Sequence, residues 1–416
     1  MTHLPDFSHA LEGEVPFGFD ELFYSRTDTR GVILAGNEVF RRVSGFSWSE
    51  LLGAPHKIVR HPDTPRGLFR IVWDALGNGY PMGAYVKNRA RDGGFYWVFA
   101  VMLPVQGGFL SVRIKPSSPL FEKMRGRCGA IAAEEKAQRI DPEASAANMR
   151  AMAQAEGFSS YTSFMAYALG LELAARDAKL GRPSDPRTER LIEMNRALER
   201  VTEEQMKLLR SFEALQSIPN NMRIVASRME PSGGPVSAIS ENYRASSLVI
   251  SERLRSFVAG RDNLCDRVSR QAARALFLIG SNRALSEMNA VFAEADPVPG
   301  IDWGEERLLL RRLEDSTHVD AGKAMARAVA NAEELFRASA EIRRLMLGLD
   351  TIRVLGRVEC GRMRDASGGL SSTIDQLDVF HADIKSRLES IMRLSEDIAT
   401  AMNRFLREEQ VRAVTG

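Results

Sequence analysis

The sequence predicts two architectures in one chain: an α+β domain over residues 20–120, then an all-α region of long antiparallel helices. Three observations carry this. Aromatic, glycine and proline residues are dense before residue 120. Short apolar runs bounded by turn residues fill the same stretch. Beyond it, apolar residues recur at steps of three and four, the period of a helix face.

Within the first region, Gly31-Val-Ile-Leu-Ala, Gly83-Ala-Tyr-Val-Lys, Phe95-Tyr-Trp-Val-Phe-Ala-Val-Met and Gly108-Phe-Leu-Ser-Val-Arg-Ile read as strands. Asp92-Gly93-Gly94 and Gln106-Gly107-Gly108 are hairpin turns. Helical stretches fall at Asn37–Val43 and at Pro65–Leu76, the latter with proline at its start and glycine at its end. The order is two strands, short helices and a three-stranded meander. Trp73 and Trp97 fit helix and strand spacing and are expected in the core.

Residues 121–186 read as a helical connector of two or three helices, ended by Gly181-Arg-Pro-Ser-Asp-Pro. A seam then runs through Leu191, Met194, Leu198, Val201, Gln205, Leu208, Phe212 and Leu215, a heptad pattern. A turn near Gly233-Gly234 and a breaker at Asp296–Gly300 bound a first hairpin, residues 187–295. The second, residues 301–412, has seams at Leu335, Ala338, Ile342, Leu345, Leu349, Ile352 and at Ile374, Leu377, His381, Ile384, Leu388, Ile391, Ser395, Ile398, Met402, Phe405. Its turn is Asp365-Ala-Ser-Gly-Gly369. The hairpins repeat: Leu215, Ile218, Arg223, Arg228 and Met229 recur 134 residues later as Leu349, Ile352, Arg357, Arg362 and Met363. Shared arginines before a shared glycine turn favour duplication, so a four-helix coiled coil from one chain is expected, with both tips at one end.

Composition excludes several classes. The 56 basic and 54 acidic residues leave a formal charge of +2, giving no general field for nucleic acid. Three distant cysteines, Cys128, Cys265 and Cys360, form no CxxC and suit a reducing compartment. The start lacks a basic and apolar leader, and no run reaches the roughly 18 apolar residues of a membrane span. A cytoplasmic protein without a span is expected. No Walker motif, kinase glycine boxes or metal-ligand cluster is present, so no enzyme activity is expected.

The most informative stretch is Val59-Arg60-His61-Pro62-Asp63-Thr64-Pro65. It is a polar loop with a cation, an imidazole and a carboxylate, closed by prolines and followed by an amphipathic helix. Such a loop can line a pocket for a polar, anionic cofactor. Together with Asn37-Glu-Val-Phe40, Ser44-Gly-Phe46, Pro55-His56, Lys87-Asn88-Arg89 and Tyr96-Trp97, in this order, it resembles the flavin-binding PAS domains of aerotaxis receptors over about residues 20–118. The resemblance implies a PAS fold and a redox- or oxygen-sensing function with FAD as cofactor. It implies Asn37, Arg60, His61, Asp63, Lys87 and Asn88 as pocket residues. Arg60 and Lys87 would meet phosphate or ring carbonyls, and Asn37 and Asn88 the isoalloxazine edge. Met82 stands where that family has tryptophan. His56 and His61 keep haem as an alternative cofactor; an empty PAS adaptor is a further alternative, and a homodimer through the PAS domain or connector is a candidate assembly.

A second stretch, Asn221-Met-Arg-Ile-Val-Ala-Ser-Arg228 through Gly233-Gly234 to Arg244, resembles the hairpin tip of methyl-accepting chemotaxis proteins. Val358-Glu359-Cys-Gly-Arg362-Met363 is similar to the same core. The resemblance implies a signalling tip with Arg228, Gly233, Gly234, Glu359 and Arg362, and a chemotaxis kinase or coupling protein as partner. Val225, Pro219 and Arg364 depart from the family pattern, and Pro219 is expected to kink or break its helix.

Overall fold

A computed structural model of the chain describes residues 13–215, 218–229, 234–258, 263–294, 297–362 and 368–415. Strands β1 (Phe23–Asp28), β2 (Ile33–Gly36), β3 (Met82–Arg89), β4 (Phe95–Val105) and β5 (Gly108–Ile114) form one antiparallel sheet in the order β2-β1-β5-β4-β3. The β3–β4–β5 meander follows from its two glycine turns, with Val86 opposite Val98 and Val101 opposite Val112. Between β2 and β3 lie α1 (Glu38–Ser44), α2 (Trp48–Leu51), a 3-10 turn (His56–Val59) and α3 (Arg66–Gly77).

The chain divides into two compact units, residues 1–195 with 273–323, and residues 196–272 with 324–416. These limits differ from the segments read in the sequence. The connector, α4 (Pro119–Gln138), α5 (Pro142–Ala155) and α6 (Tyr161–Lys179), belongs to the sheet's unit and shares its apolar core. The reason is close packing. A Cβ on Gly67 of α3 would stand 2.3 Å from Ala146 N of α5, and one on Gly83 of β3 2.9 Å from the Phe277 ring, so glycine lets both layers approach. Trp97 is buried in this core as expected, whereas Trp73 is exposed.

The other helices are α7 (Pro186–Leu215), α8 (Ile218–Met229), α9 (Pro235–Val258), α10 (Leu264–Glu294), α11 (Trp303–Arg362) and α12 (Gly368–Thr415). In the first hairpin the descending arm is not one uninterrupted helix. Residues 216 and 217, where the expected effect of Pro219 on the rising arm would fall, lie outside the described residues. The descending arm is divided before Leu264, where Asn263 Oδ1 accepts from Asp266 N, an N-terminal cap. The second hairpin is uninterrupted; 60 residues of α11 span about 90 Å.

The α12 seam is buried throughout, from Ile374 to Phe405. In the α11 seam Leu335, Ile342 and Leu349 are buried as expected, but the positions between them differ by one residue. Ser339 and Met346 are buried, while Ala338, Leu345 and Ile352 are half-buried. Serine is tolerated there because its hydroxyl donates to Leu335 O at 2.8 Å. His381 is a buried polar member of its seam: Tyr243 OH lies 2.7 Å from its Nε2 and Asp350 Oδ1 2.7 Å from its Nδ1. Together these side chains link α9, α11 and α12. A Cβ on Gly356 of α11 would stand 3.2 Å from Ile374 and 3.7 Å from Ile239, so α9 and α12 begin at the same end of this unit. Ile239 and Ile374 follow Gly234 and Gly368 by five and six residues, about 8–9 Å of helix. Gly234 and Gly368 therefore fall at one end of this unit, and the turns that precede them lie outside the described residues.

One group of the α7 seam sets up a pH test. Glu199 is half-buried, its Oε1 has no partner among the described residues, and burial pushes its carboxyl up to about 8. A carboxyl raised in the folded state stabilises that state below its unfolded value, near 4.5. The contribution is lost as pH rises from there through about 8, at no more than about 1.4 kcal/mol per pH unit. Glu199→Gln should therefore raise the melting temperature at pH 8.5 and leave it nearly unchanged at pH 4.5. Equal shifts at both pH values would refute the assignment.

Candidate functional site

The sheet is curved over α3 and the 3-10 turn, and a cavity of about 120 Å³ lies between them. Strand alternation supplies its floor: Ser25 and Thr27 of β1, Val86 and Asn88 of β3, Ala100 and Met102 of β4, Ser111 and Arg113 of β5. Phe69, Val72, Trp73 and Leu76 of α3 form the apolar wall, and His56, Lys57 and Arg60 the polar rim. The volume is close to that of a cavity holding one aromatic ring, since about 150 Å³ accepts benzene.

Two of the six expected pocket residues line this cavity. Arg60 forms an antiparallel bridge with Asn88, which carries the loop over the end of β3. Its guanidinium lies 3.9 Å from the Phe69 ring centroid, and burial lowers its pKa. Asn88 is 4% exposed and presents an amide, donor and acceptor together, to the cavity.

The other four are elsewhere. Asn37 is the N-cap of α1: its Oδ1 accepts from Phe40 N and Tyr24 N, and its Nδ2 donates to Leu22 O at 2.7 Å. Three of its amide's four hydrogen-bonding positions are used in joining α1 to β1 and the residue before it. His61 Nδ1 accepts from Asp63 N at 3.0 Å. Asp63 takes Lys87 Nζ at 2.9 Å and Lys136 Nζ at 3.0 Å. The Lys87 hydrogen bond, with that of Lys136, holds its carboxyl at about 2 against partial burial. His61, Asp63 and Lys87 are therefore a cluster that ties the loop to β3 and α4, outside the cavity. Met82 is buried and does not line it.

Sequence reasoning missed Arg113, Ser111 and Ser25. Arg113 is 5% exposed; its Nη2 donates to Ser25 Oγ at 2.7 Å and lies 2.7 Å from His56 Nε2. Burial, then Arg113, pulls the His56 pKa to about 3, so the ring is neutral and accepts at Nε2. It stacks on Phe40, interplanar angle 3°. Burial also lowers Arg113 to about 10, still charged at neutral pH. The signal was available: Ser111 and Arg113 interrupt the apolar side of a strand at alternate positions.

Of the expected signalling-tip residues, Arg228 is in α8, its side chain outside the described residues, as is Gly233. Gly234 directly precedes α9. Glu359 is half-buried near the end of α11, 3.3 Å from the exposed Arg362. Among the described residues no helix is long and apolar enough to cross a membrane.

Residues 33–110 match the family described as PAS fold. Over 137 residues the chain is 32% identical to the aerotaxis receptor of Escherichia coli (strain K12), covering 32% of this chain and 27% of that protein. It is 35% identical over 81 residues to the nitrogen fixation regulatory protein of Klebsiella pneumoniae, 20% of this chain and 16% of that one. With the bacterioopsin transcriptional activator of Halobacterium salinarum (strain ATCC 700922 / JCM 11081 / NRC-1) it shares 27% identity over 84 residues, 20% and 12% of the two chains. The chain spans about a quarter or less of the length of these curated relatives. The sheet domain is a PAS domain, and a mostly helical region follows it.

Proposed function

We propose that this chain is a PAS-type redox or oxygen sensor of the cytoplasm, that its cavity holds a flavin, and that its helical region transmits the state of the site. The observation that carries the reading is the meeting of Arg60 and Asn88 at one cavity wall, two residues of the pattern shared with flavin-binding PAS domains. The chemistry of the lining suits the group, while the cavity has the volume of one ring and would have to widen to take three fused rings. Arg60, Asn88, Ser111 and Arg113 offer donors to ring carbonyls, and apolar side chains of α3 and β4 cover a planar body. A bound flavin would supply reversible electron and hydride transfer.

The protein's own part is to hold and orient. Asn88, on β3, offers a donor and an acceptor, so a change in the ligand's protonation would reverse one of its bonds and reach the strand. The similarity to the aerotaxis receptor supports redox or oxygen as the input. The similarity of the hairpin tips to chemotaxis receptors supports a kinase or coupling protein as the partner.

The purified chain is expected to show the visible absorption bands of a flavin. Asn88→Ala and Arg60→Ala should each weaken retention by about tenfold or more, the effect of losing roughly 1.4 kcal/mol of hydrogen bonding. Far-ultraviolet dichroism should not change, because neither side chain supports the apolar core. Full retention in both variants would sink the pocket assignment, and a colourless protein would leave the domain an adaptor.

A further inference from the structure

Arg113 is a buried cation with no carboxylate against it among the described residues. Burial dominates the shift of its pKa, and Tyr96 is the charge partner that acts on it. Nη2 is satisfied by Ser25 and by neutral His56. Nη1 has no partner among the described residues, and neither has Ser111 Oγ two residues before it on the same strand face. Both residues line the cavity. Burying an ion costs several kcal/mol unless a counter-charge and hydrogen bonds offset it, and an unmade buried hydrogen bond adds its own penalty. A protein that keeps such a group at a cavity keeps it for what enters there.

We propose that Arg113 and Ser111 seat an oxygen-bearing edge of the cavity's ligand, an anionic group or a pair of ring carbonyls. The site then selects a planar ring compound by that edge rather than by its apolar body. His56 and Ser25 are positioning residues: they take Nη2, so the fork is fixed and Nη1 is left for the ligand. The inference rests on the reading of the cavity as a ligand site, but not on the ligand being a flavin. In a flavin, the shared chemistry has two sources, the carbonyl edge of the ring and the phosphates.

The full chain and its Arg113→Met and Arg113→Lys variants are tested against four probes: FAD, riboflavin, benzoate and benzyl alcohol. Wild type should prefer benzoate to benzyl alcohol by tenfold or more. Arg113→Met should lose that preference while still binding benzyl alcohol, and Arg113→Lys should keep part of it. Loss of both FAD and riboflavin in the Met variant assigns Arg113 to the ring edge; loss of FAD alone assigns it to phosphate. Without ligand, Arg113→Met should melt higher than wild type, because an apolar chain replaces an incompletely paired buried charge. A purely structural arginine gives the opposite shift and overturns the proposal. So does a wild type without preference for benzoate, or a Met variant that binds FAD and riboflavin as wild type does. The two readings fail separately. Flavin bound equally by the Met variant removes the Arg113 inference and leaves the flavin. A benzoate preference in a protein that binds neither flavin removes the flavin reading and leaves Arg113.

Discussion

Glu306→Ala is expected to destabilise the sheet-containing unit by about 3–5 kcal/mol, the usual effect of removing one partner from a buried ion pair. The Glu306 side chain is 2% exposed and belongs to the first turns of α11. Its carboxylate accepts from Arg26 Nε at 2.8 and 3.0 Å, from Arg26 Nη2, and from Tyr24 OH. Alanine would leave a guanidinium that is 17% exposed, and a buried phenol, without acceptors. Burial, then the Glu306 charge, pushes the Tyr24 pKa up, so the phenol stays a donor at all ordinary pH. Glu306→Gln, which keeps one acceptor and the shape, should cost less than alanine. Tyr24→Phe should cost about 1 kcal/mol. Urea unfolding followed by tryptophan fluorescence is a suitable measurement, since Trp303 stacks on Phe292 at 4.6 Å and Phe292 packs on Tyr24. A loss below about 1 kcal/mol for Glu306→Ala would show that the pair is solvated and weak.

The position of this pair gives it more than structural interest. Strand alternation sends Ser25 and Thr27 into the cavity, and sends Tyr24 and Arg26 to the opposite face of the same strand, where α11 binds. Four consecutive residues of β1 therefore touch the candidate ligand space on one side and the 60-residue helix on the other.

Strands β2 to β5 and the two main helices of the PAS domain were legible because each rests on local pattern: alternation, proline and glycine punctuation, and helical period. The site was legible to about a third, two of six expected residues. Asn37 illustrates why. An asparagine just before a helix serves a cap as readily as a ligand, and here both oxygen lone pairs and one amide N–H go to backbone. His61, Asp63 and Lys87 are a similar case, since a loop rich in charge can satisfy itself. Arg113 was visible as a charge on the inner face of a strand, but its lack of a counter-charge is a property of three dimensions. Glu306 could not have been found: 280 residues separate it from Arg26. The start of α10 at Leu264 depends on a cap at Asn263 that resembles many surface asparagines.

The connector's attachment to the PAS sheet should depend on one carboxylate to a comparable degree. Glu172 of α6 is fully buried, with 0% exposure. Its Oε1 accepts from Tyr85 OH at 2.7 Å and Ser118 Oγ at 2.5 Å, and its Oε2 from Ser117 N at 2.7 Å and Ser118 N at 3.1 Å. Tyr85 is on the face of β3 opposite Asn88, and Ser118 caps α4 by accepting from Phe121 N. One side chain thus joins α6, β3 and the start of α4. Burial raises the Glu172 pKa, and the hydrogen bonds from Ser118, Ser117 and Tyr85 only partly oppose this. The contribution of this shift to stability is therefore full below the unfolded carboxyl value and is lost as pH rises from there through the raised folded value. Glu172→Ala orphans all four donors. At about 1–3 kcal/mol for each unmade buried bond, the loss should exceed roughly 4 kcal/mol, a large part of the 5–15 kcal/mol that holds a typical domain. Glutamine does not rescue it fully, because its amide nitrogen would face donors. Tyr85→Phe removes one donor together with its need for an acceptor and should cost only about 1 kcal/mol. The Tyr85→Phe and Glu172→Ala changes share one bond, so their combined effect should fall short of the sum by 0.5 kcal/mol or more, within the roughly 0.5–3 kcal/mol found for contacting pairs. Strict additivity in the double-mutant cycle, or a Glu172→Ala protein that unfolds at the wild-type urea midpoint, would mean that water reaches these donors and that Glu172 does not hold the connector.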